Sequence, residues 1–255
     1  MRWIYLSPHP DDAALCAGGL IYDQTRSGMQ VEIWTLMAGV AGDERLSEFA
    51  LKMHARWSTG TMKDTVEMRR REDLHAGEIL GARVLHFGFL DAIYRRGFDG
   101  RSLYADPVGT QVHQGDASLP RQIADALRSG LRPDDRAVCL LGIGDHVDHV
   151  LVRQAAEALG RALVYVADFP YVLKHPESVG AKTQGLGPWQ QRISKAGLTA
   201  WIEAVEAYPS QLGAVFEDLN PRIELQDYWG RGEGIRLWAS RSISGTDGLD
   251  STPKA

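Results

Sequence analysis

Two clusters of histidine and aspartate contain the residue types that bind metal ions and move protons. The first, Ser-Pro-His-Pro-Asp-Asp at residues 7–12, directly follows the apolar run at residues 3–6. The second, Gly-Asp-His-Val-Asp-His at residues 144–149, follows the apolar run at residues 137–141. Ligands of open α/β sheets bind beyond the carboxyl ends of the strands, so two clusters at strand ends predict one composite metal site.

The spacing within the first cluster suits a metal ion. His9 and Asp12 are separated by three positions, so both can point at one ion, which leaves Asp11 beside that ion to handle protons. Catalytic zinc sites take three protein ligands from His, Asp or Glu and leave one position for water. A neighbouring carboxylate can act as general base in metal-assisted hydrolysis.

The second cluster places two histidines at the start of a predicted helix. His146 and His149 are three apart and therefore project from the same helix face. One can bind the metal while the other faces the reacting group, where a protonated imidazole can stabilise an oxyanion. A simpler interpretation also exists, in which Asp145 is the helix N-cap and Asp148 complements the helix dipole.

The elements that must position these clusters follow from apolar periodicity. Buried strands are predicted at residues 3–6, 31–36, 84–87, 137–141 and 163–167, and helices at residues 14–24, 46–57, 66–80, 119–129, 146–159 and 200–208. Asp43, Ser118 and Asp145 are the candidate N-caps. Strands that alternate with helices predict an α/β fold, with a mostly parallel sheet and helices on both faces.

Two long irregular segments, residues 97–118 and 168–189, are predicted to form the walls of a substrate pocket. They contain aromatic residues that could stack on a sugar ring or simply pack the loops, and polar residues that could bind hydroxyl groups. The aromatic candidates are Tyr104, Tyr171 and Trp189, and the polar candidates are Asp106, His113 and Lys182.

Composition narrows the function classes. The chain has 255 residues, 44% of them apolar and 24% charged, and a net charge of −5, which gives no electrostatic footprint for nucleic acid. Two cysteines do not indicate a disulfide framework, and no apolar run is long enough for a membrane span or signal peptide. We expect a cytoplasmic enzyme with one domain at residues 1–241 and a flexible tail at 242–255, and a homo-oligomer remains open.

The two clusters together resemble the PIG-L/LmbE-like family of zinc-dependent N-deacetylases. The resemblance rests on Pro-His-Pro-Asp-Asp at residues 8–12 and His-Val-Asp-His at residues 146–149. Three further elements fit: Arg69-x-x-Glu72-x-x-x-Ala76-x-x-x-Leu80-Gly81, Phe89-Leu90-Asp91, and Tyr208-Pro209-Ser210-Gln211. The match covers residues 3 to about 212 and implies a single Rossmann-like domain.

The resemblance implies a role for each residue of the first cluster. His9 and Asp12, with His149 from the second cluster, would bind Zn²⁺, and Asp11 would be the general base. The family often has glutamate where this chain has Ala13. That glutamate is not a zinc ligand in the family, so the implied metal set is unaffected and Ala13 is interpreted as the mark of a subgroup.

The resemblance also implies roles outside the metal set. His146 would stabilise the tetrahedral oxyanion or protonate the leaving amine, and Asp148 would orient a catalytic histidine. Arg69 and Asp91 correspond to positions that contact the sugar in some members. From the residues alone, Arg69 could equally be a surface helix charge and Asp91 part of a loop turn.

The function implied by the resemblance is a zinc-dependent hydrolase that removes an N-acyl group, expected to be acetyl, from an amino sugar conjugate such as an N-acetylglucosaminyl compound. One alternative is a zinc-dependent hydratase of a small unsaturated dicarboxylic acid. That substrate needs a basic pocket, for which the candidates are Arg69, Arg95, Arg96 and Arg101. A non-catalytic binding relative is the other alternative, and the retained base and oxyanion partner argue against it.

Overall fold

A central sheet organises the computed structural model, which describes residues 1–42, 45–217 and 219–240. Its strands are β1 (Arg2–Ser7), β2 (Gln30–Thr35), β3 (Arg83–His86), β4 (Arg136–Leu140), β5 (Leu163–Val166), β6 (Gly187–Arg192) and β7 (Gly234–Ala239). The spatial order is β3-β2-β1-β4-β5-β7-β6. Strands β1 to β5 pair in parallel, whereas β7 runs antiparallel to β5 and β6. The sheet is mostly parallel, as the sequence predicts.

The helices connect and cover these strands. They are α1 (Asp12–Arg26), α2 (Glu48–Arg56), α3 (Met62–Leu80), α4 (Leu119–Gly130), α5 (Val147–Glu157), α6 (Tyr171–Lys174), α7 (Ser178–Lys182), α8 (Lys195–Glu206), α9 (Pro209–Val215) and α10 (Pro221–Gly230). Short 3₁₀ turns occur at Ala92–Tyr94 and Gln114–Asp116. None of the described helices combines the length and apolarity needed to cross a membrane.

Apolar side chains on both faces of the sheet form two separate cores. Trp3 and Tyr5 of β1 face the core beneath α1, α3, α8 and α10. Ile4 and Leu6 of the same strand face the core beneath α4 and α5. A parallel strand buried on both faces is expected to be apolar throughout, which is why β1 shows no alternation of polar and apolar residues. The single α/β domain with helices on both faces is therefore confirmed.

The order of the strands reverses at β1. From β1 the chain passes through α1 to β2 and through α3 to β3, and then returns to the other side of β1 to form β4 and β5. The carboxyl ends of β1 and β4 therefore border the crevice in which open α/β sheets bind ligands. Both predicted clusters begin at this edge.

A buried ion-pair network lies at the amino-terminal ends of the strands, opposite the candidate crevice. Arg2 donates from Nη2 and Nε to the carboxylate of Asp135 at 2.6 and 3.1 Å, and from Nη1 to Glu32 at 2.9 Å. It also donates to the carbonyl oxygen of Gly130 at 2.9 Å. The hydrogen bonds joining Arg2 to Asp135 raise the pKa of Arg2. The Arg2 side chain thus connects the start of β1 to three other elements: β2 through Glu32, the end of α4 through Gly130, and the start of β4 through Asp135.

Five predicted strands are confirmed, but β6 and β7 were not predicted. Strand β6 begins inside the predicted loop 168–189 and extends beyond it, and its sequence Gly-Pro-Trp-Gln-Gln-Arg is mostly polar. It forms the edge of the sheet, where Pro188 is tolerated because an edge strand leaves some N–H groups unpaired. An exposed edge strand has little need of apolar residues, so the periodicity gave no signal.

The six predicted helices are confirmed with shifted ends, and one of the predicted caps is wrong. His146, not Asp145, caps α5 through its side chain. Ser118 occupies the predicted N-cap position of α4, but its side chain makes no cap hydrogen bond. Ser47 caps α2, and Asp43 lies outside the described residues. Residues 242–255, predicted to be a tail, also lie outside them.

Candidate active site at the carboxyl ends of β1 and β4

The first cluster forms a tight turn between β1 and α1. The Ser7 hydroxyl donates to the His9 carbonyl at 2.7 Å and accepts from the Ala13 amide at 3.0 Å. The His9 amide donates to the Asp12 carboxylate at 2.8 Å. Asp11 has φ 137°, a backbone conformation that side-chain-bearing residues rarely adopt. Strain of this kind is found preferentially at functional sites, where surrounding contacts enforce it.

The second cluster forms the start of α5. The Asp148 amide donates to Nδ1 of His146 at 3.2 Å, so His146 is the N-cap of this helix. Because Nδ1 accepts this hydrogen bond, a neutral His146 has its proton on Nε2. Burial and the neighbouring positive charge of His9 hold the pKa of His146 well below its usual value. The structure therefore favours a neutral His146 with a donor on Nε2, and not the protonated imidazole expected from the sequence.

The two clusters meet in space. Nitrogen atoms of His9, His146 and His149 all lie within 4.8 Å of one another. Asp12 lies between two of these histidines, with its carboxylate 3.1 Å from Nδ1 of His9 and 3.3 Å from Nε2 of His149. All four side chains are at most 9% exposed. The structure therefore brings the three predicted metal ligands together.

This donor set fits a divalent metal such as zinc. Two imidazoles and one carboxylate are the ligand types of catalytic zinc sites. Burial disfavours protonation of His149, but Asp12 and Asp168 outweigh that effect and raise its pKa to about 10. Burial likewise opposes protonation of His9, yet Asp91, Asp12 and Asp148 hold the pKa of His9 well above its usual value. Both pKa shifts indicate that the surrounding carboxylates favour positive charge between His9 and His149, where a metal ion would lie.

Asp168 orients His149 and was not predicted as a site residue. Its carboxylate lies 2.7 Å from Nδ1 of His149 and accepts from the Ile143 amide at 2.9 Å. A carboxylate on one ring nitrogen of a metal-binding histidine directs the other nitrogen to the metal. Asp168 follows the carboxyl end of β5. The strand-end rule that identified the two clusters could therefore have found it.

Asp148 is fully buried and lies beneath the site. Its carboxylate accepts from Arg95 at 2.5 Å and from the Ala92 amide at 2.9 Å, and it is 2.9 Å from Nε2 of His9. The structure therefore places the carboxylate of Asp148 on His9, while its contact with His146 is through the backbone. Arg95, which the sequence suggested as part of a basic pocket, also donates to Asp116 at 2.8 Å.

Arg69 lies between Asp11 and Asp91 and is within salt-bridge distance of both. Arg69 lies 3.6 Å from the Asp11 carboxylate and donates to Asp91 at 3.3 Å. It donates to the carbonyl of Pro10 and lies 5.0 Å from the ring centroid of Trp57. Burial and the adjacent charge of Asp12 raise the pKa of Asp11 to about 8. Arg69 is thus a buried residue of the site and not a surface helix charge.

A cleft of about 450 Å³ opens above the metal ligands. Of the predicted wall residues, Tyr171 and Asp106 line it. Tyr104 is 4% exposed and donates to Asp116, and Trp189 belongs to β6. Of the three aromatic candidates, only Tyr171 lines the cleft, while Tyr104 and Trp189 pack elsewhere.

Of the three polar candidates in these loops, Asp106 lines the cleft, whereas His113 and Lys182 do not. Lys182 pairs with Asp145 at 2.6 Å, and Nδ1 of His113 accepts from the Gly115 amide at 2.9 Å. A wall residue that loop length could not predict is Gln211, which lies at the start of α9 and is 4% exposed. Its Nε2 donates to the Ser210 hydroxyl at 2.8 Å.

Comparison with known proteins assigns the family. Residues 4–159 match the family model described as PIG-L, GlcNAc-PI de-N-acetylase, over more than half of the chain. The chain belongs to the PIG-L family. Both clusters and the Arg69–Asp91 pair lie within the matched residues, so the PIG-L resemblance predicted from them is confirmed.

Relatives within the PIG-L family show what similar chains do. The chain is 28% identical over 175 residues to 2′-N-acetylparomamine deacetylase from Streptomyces fradiae, an alignment that covers 67% of this chain and 57% of that relative. It is 29% identical to a teicoplanin deacetylase solved in a zinc-inhibited form, with a TM-score of 0.83. That superposition covers 94% of this chain and 97% of the teicoplanin deacetylase. The A40926 pseudoaglycone deacetylase is 27% identical, with a TM-score of 0.73, and the superposition covers 95% of this chain and 98% of that one.

Proposed function

We propose that this protein is a zinc-dependent hydrolase that removes an N-acyl group, acetyl in the simplest case, from an amino sugar conjugate such as an N-acetylglucosaminyl compound. The observation that carries the proposal is the meeting of His9, Asp12 and His149 with Asp11 and His146 at one crevice of a PIG-L-family chain. The predicted cytoplasmic location and small-molecule substrate are part of the proposal.

His9, Asp12 and His149 are the residues that would hold the metal. The zinc ion, when bound, acts as a Lewis acid that polarises the acyl carbonyl and lowers the pKa of water toward about 7. The contact between Asp168 and Nδ1 of His149 leaves Nε2 of that ring for the metal. The carboxylates around His9 and His149 offset the positive charge that this chemistry introduces.

Asp11 is the proposed general base. Its carboxylate is buried, and burial raises its pKa to about 8, so it holds a proton more readily than an exposed aspartate. Arg69 at 3.6 Å opposes this shift and so favours the ionised form that a general base requires. Asp11 can therefore take a proton from the attacking water and return one to the leaving amine.

His146 is the proposed oxyanion partner. Its Nδ1 is occupied by the Asp148 amide, which leaves Nε2 as a hydrogen-bond donor in the cleft. A donor fixed in advance stabilises the charge that develops on the acyl oxygen without a cost of reorganisation. Arg69 and Asp91 also line the cleft, where they can bind sugar hydroxyl groups.

The four arginines named for the hydratase alternative do not form a basic pocket beside the metal ligands. Arg69 and Arg95 are paired with buried carboxylates, and Arg96 donates to the carbonyls of Gly100 and Arg45. Arg101 is exposed and does not line the cleft. Within the described residues, the four arginines offer no free guanidinium beside the metal ligands.

The experiment that tests the proposed function is release of free amine from a panel of N-acetylglucosaminyl conjugates, with fumarate-like dicarboxylic acids as the contrast. We expect one amine per acetate released from the sugar conjugates and no hydration of the acids. Metal should be titrated from below one equivalent to an excess, because a relative was solved in a zinc-inhibited form. Hydration of the acids without amine release would overturn the proposal.

A further inference from the structure

The cleft continues past the metal ligands into an outer half that the proposed chemistry does not use. This outer half, the α2–α9 groove, lies between the two helices after which it is named and is lined by Phe49, Met53, Ala214 and Val215. The side chains of Phe49 and Met53 are half-buried, so they retain surface for a ligand. Arg69 and Asp91 line the same cleft, so the aglycone of a sugar bound there can reach this groove.

The spacing of residues along α2 explains the apolar wall. Phe49, Met53 and Trp57 follow one another at intervals of four and therefore share one helix face. Trp57 is 6% exposed and packs against Arg69. The same face thus runs from the proposed sugar-binding arginine at one end to the open groove at the other.

Two unpaired positive charges border this wall. Lys52 and Arg56, four positions apart on α2, are exposed and line the cleft. In the described part of the chain, neither has a carboxylate partner within salt-bridge distance. On the other elements, Lys174 is paired with Glu217 at 3.5 Å, and Asp106 accepts a hydrogen bond from the Val108 amide at 2.9 Å. The α2 side of the groove therefore has a surplus of positive charge.

We propose that the α2–α9 groove is an aglycone subsite that selects conjugates whose aglycone presents apolar surface together with an anionic group, and that discriminates against cationic aglycones. This assignment rests on the proposed function. Phe49 and Met53 contribute apolar contact, while Lys52 and Arg56 attract a carboxylate and repel an ammonium group. Binding energy from this remote part of the substrate holds the amide against the reacting groups.

Three matched substrates test the charge preference. They are the 4-carboxyphenyl, phenyl and 4-(aminomethyl)phenyl glycosides of N-acetylglucosamine, which share the amide and the ring but differ in charge. We expect kcat/KM for the carboxyphenyl compound to exceed that for the aminomethyl compound by about tenfold, the scale of two exposed charge contacts. The ratio should shrink as ionic strength rises.

Charge reversal on α2 should invert this preference. The double variant Lys52→Glu/Arg56→Glu is compared with Arg121→Glu/Lys195→Glu, which changes the net charge equally at exposed positions of α4 and α8 outside the cleft. For the apolar wall, Phe49→Ser is compared with Leu51→Ser on the solvent side of the same helix. Phe49→Ser should lower kcat/KM for the phenyl glycoside several-fold relative to the methyl glycoside, and Leu51→Ser should not.

The outcomes separate the subsite from the deacetylase activity. Dissociation constants of the three deacetylated glycosides, measured by calorimetry, report the charge preference without turnover. Equal constants for the three glycosides, or an order unchanged by Lys52→Glu/Arg56→Glu, would overturn the subsite even with amine release intact. Conversely, the expected order of binding without any amine release would support the subsite and contradict the proposed activity.

Discussion

Asp11 combines a strained backbone with a buried carboxylate, and both properties follow from its position between Pro10 and the first turn of α1. The left-handed φ of 137° holds Asp11 beside Arg69, while the next residue, Asp12, contacts two histidines. Adjacent aspartates thus have different environments. Burial raises the pKa of Asp11 to about 8, whereas Asp12 has its pKa held well below the usual range, because the contacts with His149 and His9 outweigh burial.

The first prediction concerns Asp11 itself. Asp11→Asn keeps the size of the side chain but removes the base, so kcat for amine release should fall by about 10² or more. Metal content should be unchanged, because Asp12 remains. Asp125→Asn, at an exposed position of α4, is the matched control and should behave as the wild type. Near-normal turnover of Asp11→Asn at full metal occupancy would assign the base to another residue.

The second prediction concerns the support of His149. Asp168→Ala removes the carboxylate at Nδ1 of His149, so metal affinity should fall about 10- to 100-fold. Competition with a chelator of known affinity measures the change, and far-ultraviolet circular dichroism checks that the metal-free variant is folded. An unchanged affinity would mean that Asp168 only satisfies the Ile143 amide.

At the scale of elements, residue type and spacing predicted the composite site because both clusters directly follow apolar strands. The same reasoning missed Asp168, which follows β5 as a single residue with no second motif residue beside it. It also missed β6, an edge strand that pairs through its backbone and needs no apolar pattern. It missed β7 as well, although this strand lies between β5 and β6 and its buried residues Ile235, Leu237 and Trp238 could have indicated it. The mistaken choice of Asp145 as the cap of α5 has a similar origin, because capping frequencies favour aspartate over histidine.

The third prediction separates the two tasks of His146 at the start of α5. His146→Asn replaces the imidazole with a good N-cap, so stability and metal content should match the wild type while kcat falls sharply. His146→Ala loses the cap as well, which should lower the free energy of unfolding by about 1 kcal/mol. Urea unfolding and amine release measure both effects. Normal kcat in His146→Asn would show that the residue only caps the helix.

At the scale of the whole molecule, the carboxyl ends and the amino ends of the strands have different roles. The carboxyl edge gathers the site residues at the reversal of strand order, and the opposite edge is tied together by Arg2. Helices on both faces bury the strands, so the site is built on a rigid scaffold. The sequence could predict these layers from alternation of elements, but not the Arg2 network, whose partners are distant in sequence.

The fourth prediction uses this distant network. Burial opposes ionisation of Asp135, but its hydrogen bonds with Arg2 and with the Arg132 amide outweigh that effect and hold the pKa of Asp135 below its usual value. A lowered folded-state pKa stabilises the protein above the unfolded pKa of about 3.9, and that contribution is lost as pH falls through the folded pKa.

Asp135→Asn should therefore be less stable at neutral pH by about 2 kcal/mol, and the difference from the wild type should shrink at low pH. Urea unfolding from pH 7 down to about pH 2, below the unfolded pKa of about 3.9, measures the difference, and amine release at neutral pH should be unaffected under folding conditions. A difference that stays constant across this range would contradict the proposed ionic contribution of Asp135.

The most direct test of the proposed zinc deacetylase measures metal content and amine release on the same samples. Elemental analysis should find about one zinc per chain in the wild type. His149→Ala should lose both the metal and the amine release, whereas His146→Ala should keep the metal and lose only the amine release. A full metal load in His149→Ala together with an empty site in His146→Ala would contradict the account.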